Sequence, residues 1–106
     1  MDFLSVVSKL DRRIRISKTY WEKIVTIKHP VMAGKEIQVI KTLQDPFIIR
    51  QSKKDANVCL YYREFGVRYI CVVVKHENGT GYIISFYPVD NIKKGITIYE
   101  KNKIVS

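Results

Sequence analysis

Val67-Arg-Tyr-Ile-Cys-Val-Val-Val-Lys75, then Glu77-Asn-Gly-Thr80, then Tyr82-Ile-Ile-Ser-Phe-Tyr87 form the stretch on which the fold turns. Both apolar runs are dense in β-branched and aromatic residues, which suit a pleated, half-buried surface. The Asn-Gly between them favours the two left-handed conformations of a type I′ turn, whose twist matches that of the flanking strands. An antiparallel hairpin is therefore expected. Working back, Val58-Cys-Leu-Tyr-Tyr-Arg63 and Phe47-Ile-Ile-Arg50 have the same composition, and Phe65-Gly66 marks another tight turn. Four antiparallel strands follow from this. Pro88 and the Asn91–Gly95 stretch break the pattern before a short strand from Ile96 to Tyr99.

Upstream the periodicity changes. Thr19-Tyr-Trp-Glu22 has the form of a capping box, with Tyr20, Ile24 and Ile27 at helical spacing until Pro30. Gly34 opens a second segment, in which Ile37, Ile40 and Leu43 share a face before Asp45-Pro46 ends it. The expected fold is α+β, with N-terminal helices packed on a four-stranded antiparallel β-sheet. No linker, repeat or low-complexity run divides residues 1–106, so one domain is expected. If Phe65-Gly66 and Asn78-Gly79 are two-residue loops, Tyr61, Arg63, Arg68, Ser85 and Tyr87 share one sheet face. Leu60, Tyr62, Cys71, Val73, Ile84 and Phe86 share the other, more apolar face, which is expected to meet the helices.

Charge narrows the function. Nineteen Lys and Arg stand against ten Asp and Glu, a net +9. The excess is spread along the chain: twelve basic and six acidic residues in Met1–Asp55, seven and four in Ala56–Ser106. A folded body of that sign attracts polyanions, RNA foremost. Cys59 and Cys71 lie inside apolar runs and read as buried reduced thiols. No spacing of His and Cys suits a metal, and no cofactor motif is present, so neither is expected. No apolar stretch reaches the roughly 20 residues that cross a bilayer. Met1-Asp-Phe-Leu-Ser5 lacks the basic start of a signal peptide, so a cytoplasmic protein without a membrane partner is expected.

The chain has no Gly-rich phosphate loop, no nucleophile elbow and no paired carboxylates. Its Arg, Lys, His, Tyr and Ser suit RNA cleavage without a metal, because RNA carries its own nucleophile, the 2′-OH. Such a reaction needs a base, an acid and cations on the phosphorane.

Trp21-Glu-Lys-Ile24, Lys28-His-Pro30, Thr42-Leu-Gln-Asp-Pro46 with Ile49-Arg50, Tyr61-Tyr-Arg63 and Ile83-Ile-Ser-Phe-Tyr87 together resemble one group of small nucleases. These are the phage and toxin-like members of the barnase–EndoU–colicin–RelE-like superfamily, matched in order and spacing from Arg15 to Gly95. The resemblance implies a RelE/barnase-like fold and a toxin-like, metal-independent endoribonuclease that leaves a 2′,3′-cyclic phosphate. It implies His29 as general acid or base, Arg50 and Arg63 on the phosphate, and Ser85 with Tyr87 orienting it. Lys28, Tyr61 and Arg68 would contact the RNA, and an acidic antitoxin protein is an implied partner. Each residue also has a structural reading: His29 caps a helix, Arg50 and Arg63 bridge to nearby carboxylates, Tyr87 packs. A non-catalytic RNA-binding module would use the same residue types. A basic protein serving an acidic partner would do so too.

Overall fold

The computed structural model describes residues 2–102. Its strands are β1 (Asp2–Val7), β2 (Arg13–Ser17), β3 (Ile48–Gln51), β4 (Val58–Phe65), β5 (Arg68–Glu77), β6 (Thr80–Val89) and β7 (Ile96–Glu100). They form one seven-stranded sheet in the order β1-β2-β6-β5-β4-β3-β7. Every neighbouring pair is antiparallel except β2 and β6, which run parallel. The two α-helices are α1 (Lys18–Lys23) and α2 (Glu36–Gln44).

This corrects the expectation of helices on a four-stranded antiparallel sheet. The four expected strands are present as β3 to β6, but they are the centre of a larger mixed sheet. Residues 2–17, expected to belong to a helical half, fold as the β1–β2 hairpin. Arg13-Ile-Arg-Ile-Ser17 alternates exposed and buried strictly, with Ile14 and Ile16 in the core. That period of two is a strand's. β7 widens the sheet on the other side by pairing with β3.

The helices also depart from the pattern. Ser17, not Thr19, caps α1: its hydroxyl oxygen accepts from the Tyr20 N–H at 3.2 Å. After Lys23 the chain widens into a π-helical turn, Ile24–Lys28, closed by the His29 N–H donating to the Ile24 carbonyl at 2.7 Å. The wider turn rotates Ile27 outward, leaving it 71% exposed. In α2 the buried residues are Val39, Thr42 and Leu43, while Ile37 is 62% exposed.

Asn78 (φ 48°) and Gly79 (φ 83°) form the expected type I′ turn, with Glu77 opposite Thr80. The other hairpin turns at Gly66-Val67, with Phe65 opposite Arg68. That shift of two residues preserves the faces. A bulge in β6 does not: Val74 pairs with Ile83 and Val73 with Ser85, leaving Ile84 as the extra residue. Beyond it every side chain of β6 changes face. Phe86 joins Val72 and Tyr61 under the helices, while Ser85 and Tyr87 turn to the opposite side with Val73 and Cys71.

The expected face assignment is corrected accordingly. The helix-covered core contains Trp21, Ile24, Val39, Leu43, Ile49, Tyr61, Ile70, Val72 and Phe86. Ile48, Leu60, Tyr62 and Cys71 form a second, smaller cluster on the other face, which lies away from the helices. Ile92 packs on it. The Trp21 ring stacks on Phe86, centroids 4.4 Å apart, and Phe3 is tilted against the same Trp21 ring at 5.3 Å. Phe86→Ala removes a fully buried ring and should cost about 3–5 kcal/mol. Urea unfolding followed by the emission of Trp21, the sole tryptophan, measures it; a loss under about 1 kcal/mol contradicts this packing.

Candidate functional site

The face turned away from the helices carries the chemistry. Arg50 pairs with Leu60, Leu60 with Val73 and Val73 with Ser85, so these four side chains form one row across the sheet. Ile48, Tyr62, Cys71 and Tyr87 form the next row. At about 4.8 Å per strand, Arg50 and Ser85 are about 14 Å apart along the backbone. Arg50 therefore stands at one end of the open face and Ser85 with Tyr87 at the other.

At the Tyr87 end, β2 pairs with β6 only through Thr80, Gly81 and Tyr82, so from Ile83 onward no strand lies on that side. The helical segment takes its place. The Tyr20 hydroxyl donates to the Ile84 carbonyl at 2.7 Å, and Lys28 Nζ lies 3.5 Å from the same hydroxyl. His29 follows, its ring tilted against that of Tyr87 with centroids 5.0 Å apart. Burial, then the neighbouring Cys71, raises the Tyr87 phenol well above its ordinary 10. Tyr87 thus stays protonated and serves as a donor. His29, Lys28, Ser85 and Tyr87 are brought to one end of the open face.

Arg63 and Tyr61 are not brought there. Arg63 is on the helix side, where its Nε donates to the Asp45 backbone carbonyl at 3.2 Å, at the C-terminus of α2. A guanidinium in that place satisfies a terminal carbonyl and complements the helix dipole. Tyr61 is 0% exposed and its hydroxyl donates to Ser8 Oγ at 2.8 Å, so it offers no ring for a base to stack on. Arg68 pairs with Asp90 at 2.7 Å and ties the start of β5 to the end of β6.

The Arg50 end is a pocket of about 160 Å³. Arg50 and Leu60 form its floor, the β3–β4 loop contributes Ser52, Lys53 and Lys54, and the segment before β7 contributes Lys93 and Lys94. No carboxylate lines it, and none of its five cations has an ion-pair partner among the described residues. The four lysines were not singled out from the sequence, although Ser52-Lys-Lys-Asp55 and Ile92-Lys-Lys-Gly95 are visible in it as a repeated pair. Two contacts place the second pair beside the first. The Lys93 N–H donates to the Tyr62 hydroxyl oxygen at 3.1 Å. Gly95 lies so close to the Gln51 carbonyl that a Cβ would approach it to 2.6 Å. Only glycine permits that approach.

His76 belongs to a half-buried network on the helix side. Its Nε2 is 3.4 Å from the Tyr61 hydroxyl and its Nδ1 3.7 Å from Cys59 Sγ. Burial raises the Cys59 thiol above its ordinary value, so the pair is a neutral thiol beside an imidazole, not an activated nucleophile.

Family models, curated proteins and solved structures provide no significant match to this chain. The functional reading rests on its own residues. No helix among the described residues is long and apolar enough to cross a membrane.

The His76 network predicts a pH dependence. Burial, then the charge of Arg12, pushes the imidazole below its ordinary 6.5. The unfolded chain binds the proton first, so the stability is complete above the unfolded pKa and is lost as pH falls through the folded one. The thermal midpoint should fall between about pH 7 and about pH 5, and His76→Asn should flatten that window. Asp45 and Asp55, held below 3.8 chiefly by hydrogen bonds from Lys101 and Lys75, act at still lower pH. An equally steep profile in the variant assigns the window to another group.

Proposed function

We propose that the chain is an RNA-binding module that holds a single strand along the open face of its sheet. The observation that carries this reading is the Arg50 pocket, where five cations from three segments, none with an ion-pair partner among the described residues, converge with no carboxylate in the lining. Like charges gathered in a concavity repel one another and are relieved by an anion. The rest of the face suits a strand that continues beyond that point. Tyr82, 46% exposed, offers a ring beside Lys75, which is paired with Asp55, and Lys28 lies over the Tyr20 ring at the same edge. Stacking on exposed aromatics with cations along the backbone is how single strands are held without sequence preference. A strand laid across β4 and β5 reaches both ends of the face, whereas one phosphate reaches only one. Cytoplasmic RNA is the ligand class proposed, and an acidic antitoxin protein would compete for the same surface.

A second reading, the metal-independent endoribonuclease, is favoured by one contact: His29 against Tyr87, on the strand that also presents Ser85. Arg63 takes no part in it, because its guanidinium is on the other side of the sheet. Incubation of total RNA in EDTA decides between the readings. Cleavage that disappears in His29→Ala makes the module an enzyme; bound but intact RNA makes it a binder.

Salt dependence tests the platform itself. Affinity for a short oligouridylate should fall as salt rises, and each lost phosphate contact should flatten the log–log slope by about 0.7. Lys53→Ala and Lys93→Ala should therefore each reduce the slope by about that amount. A slope of zero in the wild type, or slopes unchanged in both variants, contradicts the reading.

A further inference from the structure

The pocket beside Arg50 is more selective than a positive surface. At about 160 Å³ it admits a compact anion but not a nucleoside, since pockets for drug-sized molecules begin at about 300 Å³. Arg50, which lines it, carries an unanswered donor: its Nε is buried and has no hydrogen-bond partner among the described residues. A buried donor left unpaired is costly, more so when it is charged. In a native fold such a group calls for an explanation, and an anion held against the same guanidinium offsets the cost. Ser52 adds a hydroxyl. Its oxygen already accepts from the Lys54 N–H at 3.2 Å, which leaves its own proton free for an incoming acceptor.

Chain geometry distinguishes two kinds of phosphate. A phosphate inside a strand carries one negative charge and is flanked by sugars on both sides, so it crosses a small pocket at the rim. A phosphate at a strand's end carries close to two charges at neutral pH, three free oxygens, and a sugar on one side only. It can enter end-on and approach the Arg50 side chain that lines the pocket. Convergent cations and small volume both match the second kind.

We propose that this pocket receives the terminal phosphomonoester of an RNA strand, so that the module recognises phosphorylated RNA ends. The inference deepens the RNA-binding reading and rests on it. Arg50 would bind through its guanidinium, Ser52 would donate from the side, and the lysines of the two Lys-Lys pairs would neutralise the second charge from the rim.

Fluorescence anisotropy of a short oligouridylate tests this with three forms: 5′-phosphate, 3′-phosphate, and hydroxyl at both ends. One phosphorylated form should bind the wild-type chain about tenfold or more tightly than the hydroxyl form, a difference of about 1.4 kcal/mol. The form preferred identifies the end. The preference should shrink below about pH 6, where the phosphate takes up its second proton. Arg50→Gln should bring the ratio of phosphate to hydroxyl affinity close to one. The same holds for the double variant Lys54→Ala/Lys94→Ala, whose side chains are exposed and whose strands are untouched. Equal affinity of all three forms for the wild type overturns the terminal-phosphate site and leaves the RNA platform standing. No binding of any strand overturns both.

Discussion

One extra residue in β6, Ile84, decides what each face of the sheet can be. Without it Phe86 would point away from the helices, and Trp21 would lose the ring it stacks on. With it Phe86 packs against Trp21 in the helix-covered core, and Ser85 and Tyr87 are sent to the opposite face of the sheet. The Tyr20 hydroxyl bonds the carbonyl of this same residue, so the strand's irregularity is answered by the segment that replaces β2 along its edge. A bulge that re-aims side chains in this way is a built feature of a sheet.

That residue also marks where sequence reasoning stops. The Asn78-Gly79 turn was legible because two consecutive left-handed residues leave few alternatives. The four central strands were legible from composition. A bulge leaves no signal in composition, so Ser85 and Tyr87 parted from Tyr61 and Arg63: the latter two lie on the helix side, while Leu60, Tyr62, Cys71 and Val73, expected there, face away. Arg13-Ile-Arg-Ile-Ser17 did carry its signal: strict alternation, outweighed by the helical periodicity that follows it. Ile27 misled for the opposite reason, since its helical spacing was real until the backbone widened into a π turn.

The candidate site divides in the same way. His29 beside Tyr87 could be expected from the resemblance, and the structure brings the two rings together. The Lys53-Lys54 and Lys93-Lys94 pairs are distant in sequence, and what joins them is a tertiary approach, Gly95 against the Gln51 carbonyl. A short contact of that kind has no local pattern. Arg63 shows the reverse hazard: an arginine in a suggestive motif turns out to cap a helix.

The parallel pairing of β2 with β6 has a consequence for how the chain assembles. β2 is made early and its partner late, so the β1–β2 hairpin cannot dock until the central meander exists. β3 can pair with β4 at once, but its other edge stays open until β7 is made. Contacts so distant in sequence must overcome loop-closure entropy before they stabilise anything, which places such a topology among the slower folders, at milliseconds to seconds. During synthesis the N-terminal hairpin and α1 would emerge with their apolar sides uncovered, and the sheet would close only once β6 and β7 had left the ribosome.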